Sequence, residues 1–288
     1  RSDRGMRDDP PTFIPEKLFG IIGDPLGHSL SPALHNQAFA WCKLPYVYCS
    51  WPLKAEAVEA FVQALRLLPI SGCSVTIPHK TRVAALCDRV SDWAVRTGAV
   101  NTLYWKNGEL FGENTDCPGF MVPLQDRDLC LSSALVLGTG GAAKAVVAGL
   151  QALGIPEIAV AGRSPDQLRL LAERFAITPV AWEDRIEVHA SLLVNATPLG
   201  MAGDHAGAVP YPGEGLSRFG CVYDLVYNPL WTALLAGAKD AGCICISGLD
   251  MFVRQAVEQF RLWTGRSLSA DLAKHWVQRH LDRAFPLD

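Results

Sequence analysis

Leu135–Val147 reads LVLGTGGAAKAVV. Three apolar residues, Leu135 to Leu137, run into Gly138, Gly140 and Gly141, and an alanine-rich helical stretch starts at once. Glycines at such a junction permit a tight turn and a close backbone approach. The helix behind them offers unpaired N–H groups to an anion. The spacing matches GxGxxA, with Ala143 in the last place. As a bare string this is a weak signal, and a tight turn that binds nothing is the alternative. The strand before it and the helix after it make it a dinucleotide pyrophosphate site, with Gly138, Gly140, Gly141 and Ala142 beside the phosphates.

The same alternation extends on both sides. SALVLG, EIAVAG, LLVNAT, CVYDLV and CICIS read as strands, and AAKAVVAGLQALG, PDQLRLLAERF and TALLAGAKDAG as the helices between them. This pattern implies right-handed crossovers and a parallel sheet. Upstream, KLFGIIG, YVYCSW and CSVTI read as strands. SPALHNQAFAWC, KAEAVEAFVQALRLL and a stretch around KTRVAALCD read as helices. Ser31 is placed to N-cap the first of them, with Pro32 at its first position. NTLYWKNGELFGE reads as a hairpin turning at Asn107–Gly108. Two helices, MFVRQAVEQFRLWTG and SADLAKHWVQRHLDRAF, close the chain with no strand between them. The expectation is an α/β protein of two lobes, the second inserted into the first. Residues 14–116 and 249–288 form one lobe and 117–248 the other, behind a flexible arm or linker at 1–13.

Composition narrows the function classes. Of 288 residues, 49% are hydrophobic and 19% charged, enough for substantial cores and unlike a disordered chain. A net charge of −3 without a long basic run argues against nucleic acid as the main partner. No apolar run reaches the roughly 18 residues of a membrane span. The charged N-terminus (Arg1, Arg4, Arg7, Asp8, Asp9) has no signal-peptide core. Nine cysteines are scattered, Cys243 and Cys245 among them, and read as reduced thiols in a cytoplasmic protein. The seven histidines do not cluster, so no metal is expected.

The strand EIAVAG ends in Gly162-Arg163-Ser164, where the dinucleotide fingerprint expects an acid for the adenosine ribose. An acid would repel a 2′-phosphate. Arg163 attracts one and Ser164 can donate to it, so the sequence prefers NADP over NAD. An arginine there is also an ordinary solvated loop residue. Gly72–Lys80, GCSVTIPHK, poses a second question: a strand stops at a proline and presents Lys80. Such a lysine is ordinarily solvated.

GDPLGHSLSPALHN, CSVTIPHK, GAVNTL, GENTD, LGTGGAAKA, NATPLGM, YDLVYNPLWT and GLDMFVRQAVEQF follow in this order. On them the chain resembles the shikimate dehydrogenases from about Leu18 to about Gly265. The resemblance implies reversible reduction of the 3-dehydroshikimate ketone by NADPH. It implies an N-terminal substrate lobe and a Rossmann-type NADP-binding lobe, with the active site in the cleft between. By the same likeness Lys80 and Asp116 are the catalytic pair, and Ser29 and Ser31 hold the substrate carboxylate with Tyr227 at that side. Thr76, Asn101, Asp116 and Gln255 hold hydroxyls. Thr197, Gly248 and Met251 join the cofactor site.

These assignments suit the chemistry. Hydride addition builds negative charge on the carbonyl oxygen, and an ammonium beside it can donate a proton. Asp116 would orient Lys80 and bond the adjacent hydroxyl. Asparagine and glutamine each offer a donor and an acceptor to a polyol. Other readings stay open: Ser31 as only a cap, Asn101 as a turn tie, Gln255 as a solvated helical residue, Tyr227 as core, Asp116 as a turn residue. His28 and His35 read as structural. Ser74, Cys117, Gly162, Pro198 and Asp250 depart from the family pattern, which has Asn, Gly, Asn, Ser and Gly there. The resemblance leaves a shikimate/quinate paralogue, possibly NAD-using, and a non-catalytic dinucleotide-binding module as alternatives. A folate-type two-lobed dehydrogenase is disfavoured by GHSLSP and GLDMFVRQA. A monomer or homodimer is expected, with a dehydroquinase domain possible upstream.

Overall fold

The computed structural model describes residues 13–27 and 29–284. His28 and, but for Phe13, the expected N-terminal arm lie outside them. The chain begins with β1 (Lys17–Gly23), α1 (Ser31–Trp41), β2 (Tyr46–Pro52), α2 (Val58–Leu67), β3 (Ile70–Val75) and α3 (Lys80–Ala84). It continues through β4 (Arg89–Val90), α4 (Asp92–Thr97), β5 (Thr102–Lys106) and β6 (Glu109–Glu113). The six strands form a mixed sheet ordered β2-β1-β3-β5-β6-β4. β5 and β6 are the expected hairpin, with Asn107 and Gly108 both left-handed at its turn (φ 53° and 80°).

A second sheet follows α5 (Asp116–Gln125). Its elements are β7 (Ser133–Leu137), α6 (Gly141–Ala152), β8 (Glu157–Gly162), α7 (Pro165–Phe175), β9 (Thr178–Ala181), β10 (Leu192–Asn195), β11 (Cys221–Asp224), α8 (Ala233–Asp240) and β12 (Ile244–Ser247). Every pairing is parallel, in the order β9-β8-β7-β10-β11-β12. The order reverses between β7 and β10, so a crevice opens beyond their C-terminal ends, where dinucleotides bind in such sheets. The strands are buried on both faces: Ala134 and Val136 pack on the α5–α6 side, Leu135 and Leu137 on the α8 side.

α9 (Gly248–Thr264) carries the chain back to the first sheet, and α10 (Ala270–Ala284) packs on it. The Ser247 hydroxyl caps α9 by accepting from the Leu249 amide at 3.1 Å. Leu249, Phe252, Val253, Ala256, Phe260 and Trp263 then share one core cluster with Phe19, Leu34 and Phe39. The helix thus buries an apolar face against β1 and α1 and turns Gln255 and Gln259 toward the space between the sheets.

Two helices are absent from the sequence-based expectation. α4 is short, although Ser91 caps it and Gly98 ends it in a left-handed conformation. α5 contains Pro118, Gly119 and Pro123, which mask its helical pattern. Gly119 has a structural reason: a Cβ there would stand 2.9 Å from the Gln255 Cβ and 3.0 Å from the Gln255 nitrogen. α5 therefore crosses α9 almost backbone to backbone. On another side, Arg174 at the end of α7 donates to the carbonyls of Arg96 (2.7 Å) and Val95 (2.5 Å), the last turn of α4.

Candidate active site

Lys80 stands at the first position of α3, directly after the turn that leaves β3. His79 Nε2 bonds the Leu53 carbonyl at 2.5 Å, and the Lys80 carbonyl accepts from the Val100 amide at 2.8 Å, so the turn is fixed on both flanks. Lys80 Nζ lies 2.6 Å from Asp116 Oδ2, and the two side chains are only 17% and 10% exposed. The solvated reading of Lys80 is excluded by that burial. Asp116 opens α5, where the helix dipole favours a carboxylate. Its other oxygen accepts from Asn101 Nδ2 at 3.0 Å. Asn101 is 2% exposed, and its Oδ1 accepts from the Thr115 amide at 2.8 Å. Ammonium, carboxylate and carboxamide are thus locked in one row.

Ser29, Ser31, Thr76, Tyr227 and Gln255 line the same pocket as Lys80, Asn101 and Asp116. One expectation is corrected. Ser31 does not cap α1: the cap position is Leu30, whose conformation is already helical, and it has no side-chain bond. Instead the Ser31 amide donates to Ser29 Oγ at 3.4 Å, which ties the two serines together at the start of the helix. Burial pushes the Tyr227 phenol up to about 12, which keeps it protonated as a donor. Gln255 Nε2 is taken by the Phe252 carbonyl at 2.9 Å, and its Oε1 is 3.5 Å from Thr115 Oγ1. Ser74 and Gln259 also line the pocket. Gln259 is not among the site residues expected from the sequence, although its spacing four residues after Gln255 puts both on one helical face.

From the second sheet, Ala142, Gly248 and Met251 reach this pocket. Gly138 has φ +110°, and a Cβ on it would meet the Ala196 carbonyl at 3.0 Å, so glycine is required at the switch point. A Cβ on Gly141 would lie 3.9 Å from Lys80 Cδ, which makes the glycine turn and the Lys80 side chain neighbours. Gly140 precedes α6, whose first N–H groups have no partners within the helix. Thr197 follows β10 and donates to Asn195 Oδ1 at 2.6 Å. Arg163 and Ser164 stand apart from Lys80, at the end of β8. Arg163 is exposed beside a hollow walled by Pro165, Leu168 and Trp182, and Ser164 Oγ caps α7 through the Gln167 amide at 3.4 Å. The residues present fit a dinucleotide: a glycine cradle, a helix N-terminus and a cation where an acid would oppose a 2′-phosphate.

Among the described residues no group of three or more His, Cys, Asp or Glu has the arrangement of a metal site, and no helix is long and apolar enough to cross a membrane. The nine cysteines are all unpaired.

Comparison with known proteins identifies relatives of the chain. Residues 21–103 match the family described as the shikimate dehydrogenase substrate binding domain, and residues 248–274 match the shikimate 5'-dehydrogenase C-terminal domain. The chain is 48% identical to shikimate dehydrogenase (NADP(+)) of Maridesulfovibrio salexigens, covering 93% of this chain and 99% of that one. It is 50% identical to shikimate dehydrogenase (NADP(+)) of Oleidesulfovibrio alaskensis, covering 88% and 92%. Among solved structures it superimposes on shikimate 5-dehydrogenase of Thermus thermophilus in complex with NADP(H) and shikimate. The TM-score is 0.81 and the identity 38%, over 91% of this chain and 99% of that one.

Proposed function

The chain belongs to the shikimate dehydrogenase family, and on that premise we propose how its residues carry out the reversible, NADP-dependent reduction of 3-dehydroshikimate to shikimate. The observation that carries the reading is the buried Lys80–Asp116 pair at 2.6 Å, set against the glycine turn of the second sheet. When bound, NADPH supplies the hydride. Lys80 donates a proton to the carbonyl oxygen as charge builds on it, and recovers that proton in the reverse direction. Asp116 holds the ammonium in place and accepts from the neighbouring substrate hydroxyl. Asn101, Thr76 and Gln255 bond the remaining hydroxyls. Ser29, Ser31 and Tyr227 donate to the carboxylate: three neutral donors fix an anion without a bulky guanidinium.

Gly138, Gly140, Gly141 and Ala142 would hold the pyrophosphate, and Arg163 and Ser164 would hold the 2′-phosphate. Thr197, Gly248 and Met251 would stand at the nicotinamide end. In this reading the substrate unit is 14–116 completed by 249–288, and the cofactor unit is 117–248. The unpaired thiols support a cytoplasmic, reducing location.

The test is the absorbance of the nicotinamide band with shikimate and with quinate, each against NADP and NAD. Shikimate with NADP is expected to turn over fastest. Comparable quinate turnover would favour the dual-substrate alternative, and cofactor binding without turnover a non-catalytic module. Lys80→Ala is expected to lower kcat by about 10²–10⁴, with a smaller change in KM. Undiminished turnover would remove Lys80 from the mechanism.

A further inference from the structure

The pocket floor holds a chain of hydrogen bonds whose direction is fixed. The Thr115 amide can only donate, and it donates to Asn101 Oδ1 at 2.8 Å. Thr102 Oγ1 lies 2.8 Å from the same oxygen, so the Thr102 hydroxyl also donates to it. Thr102 must then accept from Gln259, whose Nε2 is 2.8 Å away. The same nitrogen lies 3.2 Å from the Asn101 carbonyl, which can only accept. Both contacts put the amide nitrogen of Gln259 on this side and its oxygen on the other. There Gln259 Oε1 takes the Ser74 proton at 2.8 Å. Tyr48, fully buried, therefore donates to Ser74 Oγ at 2.7 Å.

A serine hydroxyl has one proton and two lone pairs. At Ser74 the proton is committed to Gln259 and one lone pair to Tyr48. What remains, on a side chain that lines the pocket, is a single lone pair. We propose that Gln259 is a positioning residue which, by holding the Ser74 proton, makes Ser74 an acceptor-only group and this wall selective for a substrate hydroxyl. The proposal rests on the function assigned to the pocket above. A ring hydroxyl can donate to Ser74, whereas a ketone or carboxylate oxygen facing it meets lone pair against lone pair. The wall therefore sorts the oxygens of 3-dehydroshikimate: its carboxylate and its ketone are turned away from Ser74, toward Ser29 and Ser31 and toward Lys80.

The test uses shikimate and two analogues in which the C4 or the C5 hydroxyl is replaced by fluorine, which cannot donate. The unaltered protein is expected to prefer hydroxyl over fluorine in kcat/KM at one of the two positions. Ser74→Ala should shrink that preference by about 5- to 20-fold, the scale of one hydrogen bond, and leave the NADP KM within about twofold. Gln259→Met frees the Ser74 proton to turn into the pocket and should narrow the same preference while Ser74 is intact. A melting curve for each variant separates folding from recognition, and if Gln259→Met does not fold, Ser74→Ala decides alone. Unchanged preference in Ser74→Ala overturns the proposal. So does an equal fall in kcat/KM for all three compounds, the signature of a merely structural role. No turnover of shikimate by the unaltered protein would instead remove the parent reading.

Discussion

Lys80 shows what a side chain gains from its neighbours. Alone in the sequence it is an ordinary surface cation; beside Asp116, with Asn101 holding the other carboxylate oxygen, it is a cation held in one place. The motifs make this row legible because they lie in short, contiguous stretches. Gln259 is not legible in the same way. Its partners come from β3, the start of β5 and α1, and no spacing within α9 announces them. Ser31 misleads for a local reason: a Ser-Pro pair suits a cap followed by the first helical residue, but the backbone turns helical one residue earlier, at Leu30. Arg163 is an exposed cation directly after β8. Its charge has no counterpart in recognising a free ribose hydroxyl, so Arg163→Ala is expected to weaken NADP by about tenfold or more and NAD hardly at all, as for loss of a charged hydrogen bond. Titrating both cofactors by the quench of protein fluorescence checks this, and equal weakening would end the phosphate role.

Among the elements, the parallel strands and their helices follow from periodicity, and the Asn107–Gly108 hairpin from turn chemistry. The strand order does not, because it depends on which face each crossover helix covers. α5 escapes the pattern because two prolines and a glycine break the helical signature, yet the glycine is what its packing demands. Gly119→Val places branched carbon against the Gln255 backbone, which cannot yield as a flexible side chain would. The expected cost is about 1–3 kcal/mol of stability, as for overpacking elsewhere, read as a lower denaturant midpoint. The shikimate KM should rise with it, because Gln255 is displaced. A midpoint equal to that of the unaltered protein would refute the tight crossing.

For the molecule as a whole, two buried groups set opposing responses to acid. Burial holds His35 down at about 3, against a weaker opposing bond from Gln259, so it contributes stability above pH 6.5 that is lost as the pH falls toward 3. Burial also holds Asp224 up at about 6, despite bonds from Thr232, Val226 and Asn195. Its contribution is present below about pH 4 and lost as the pH rises through 6. Between pH 4 and 6 the two nearly cancel. Removing either should therefore expose the other, with a slope of about 1.4 kcal/mol per pH unit. Asp224→Asn should be destabilised as pH falls from 6 to 4, and His35→Phe should be stabilised over the same interval. Urea unfolding at stepped pH measures both signs, and slopes of the same sign would contradict this pairing. Arg174 has a consequence of another kind. It lies outside the pocket lining, yet it grips the final carbonyls of α4 from the end of α7. Any motion that parts the end of α7 from the end of α4 must unfasten both bonds, which act as a buckle between the two sheets' outer helices.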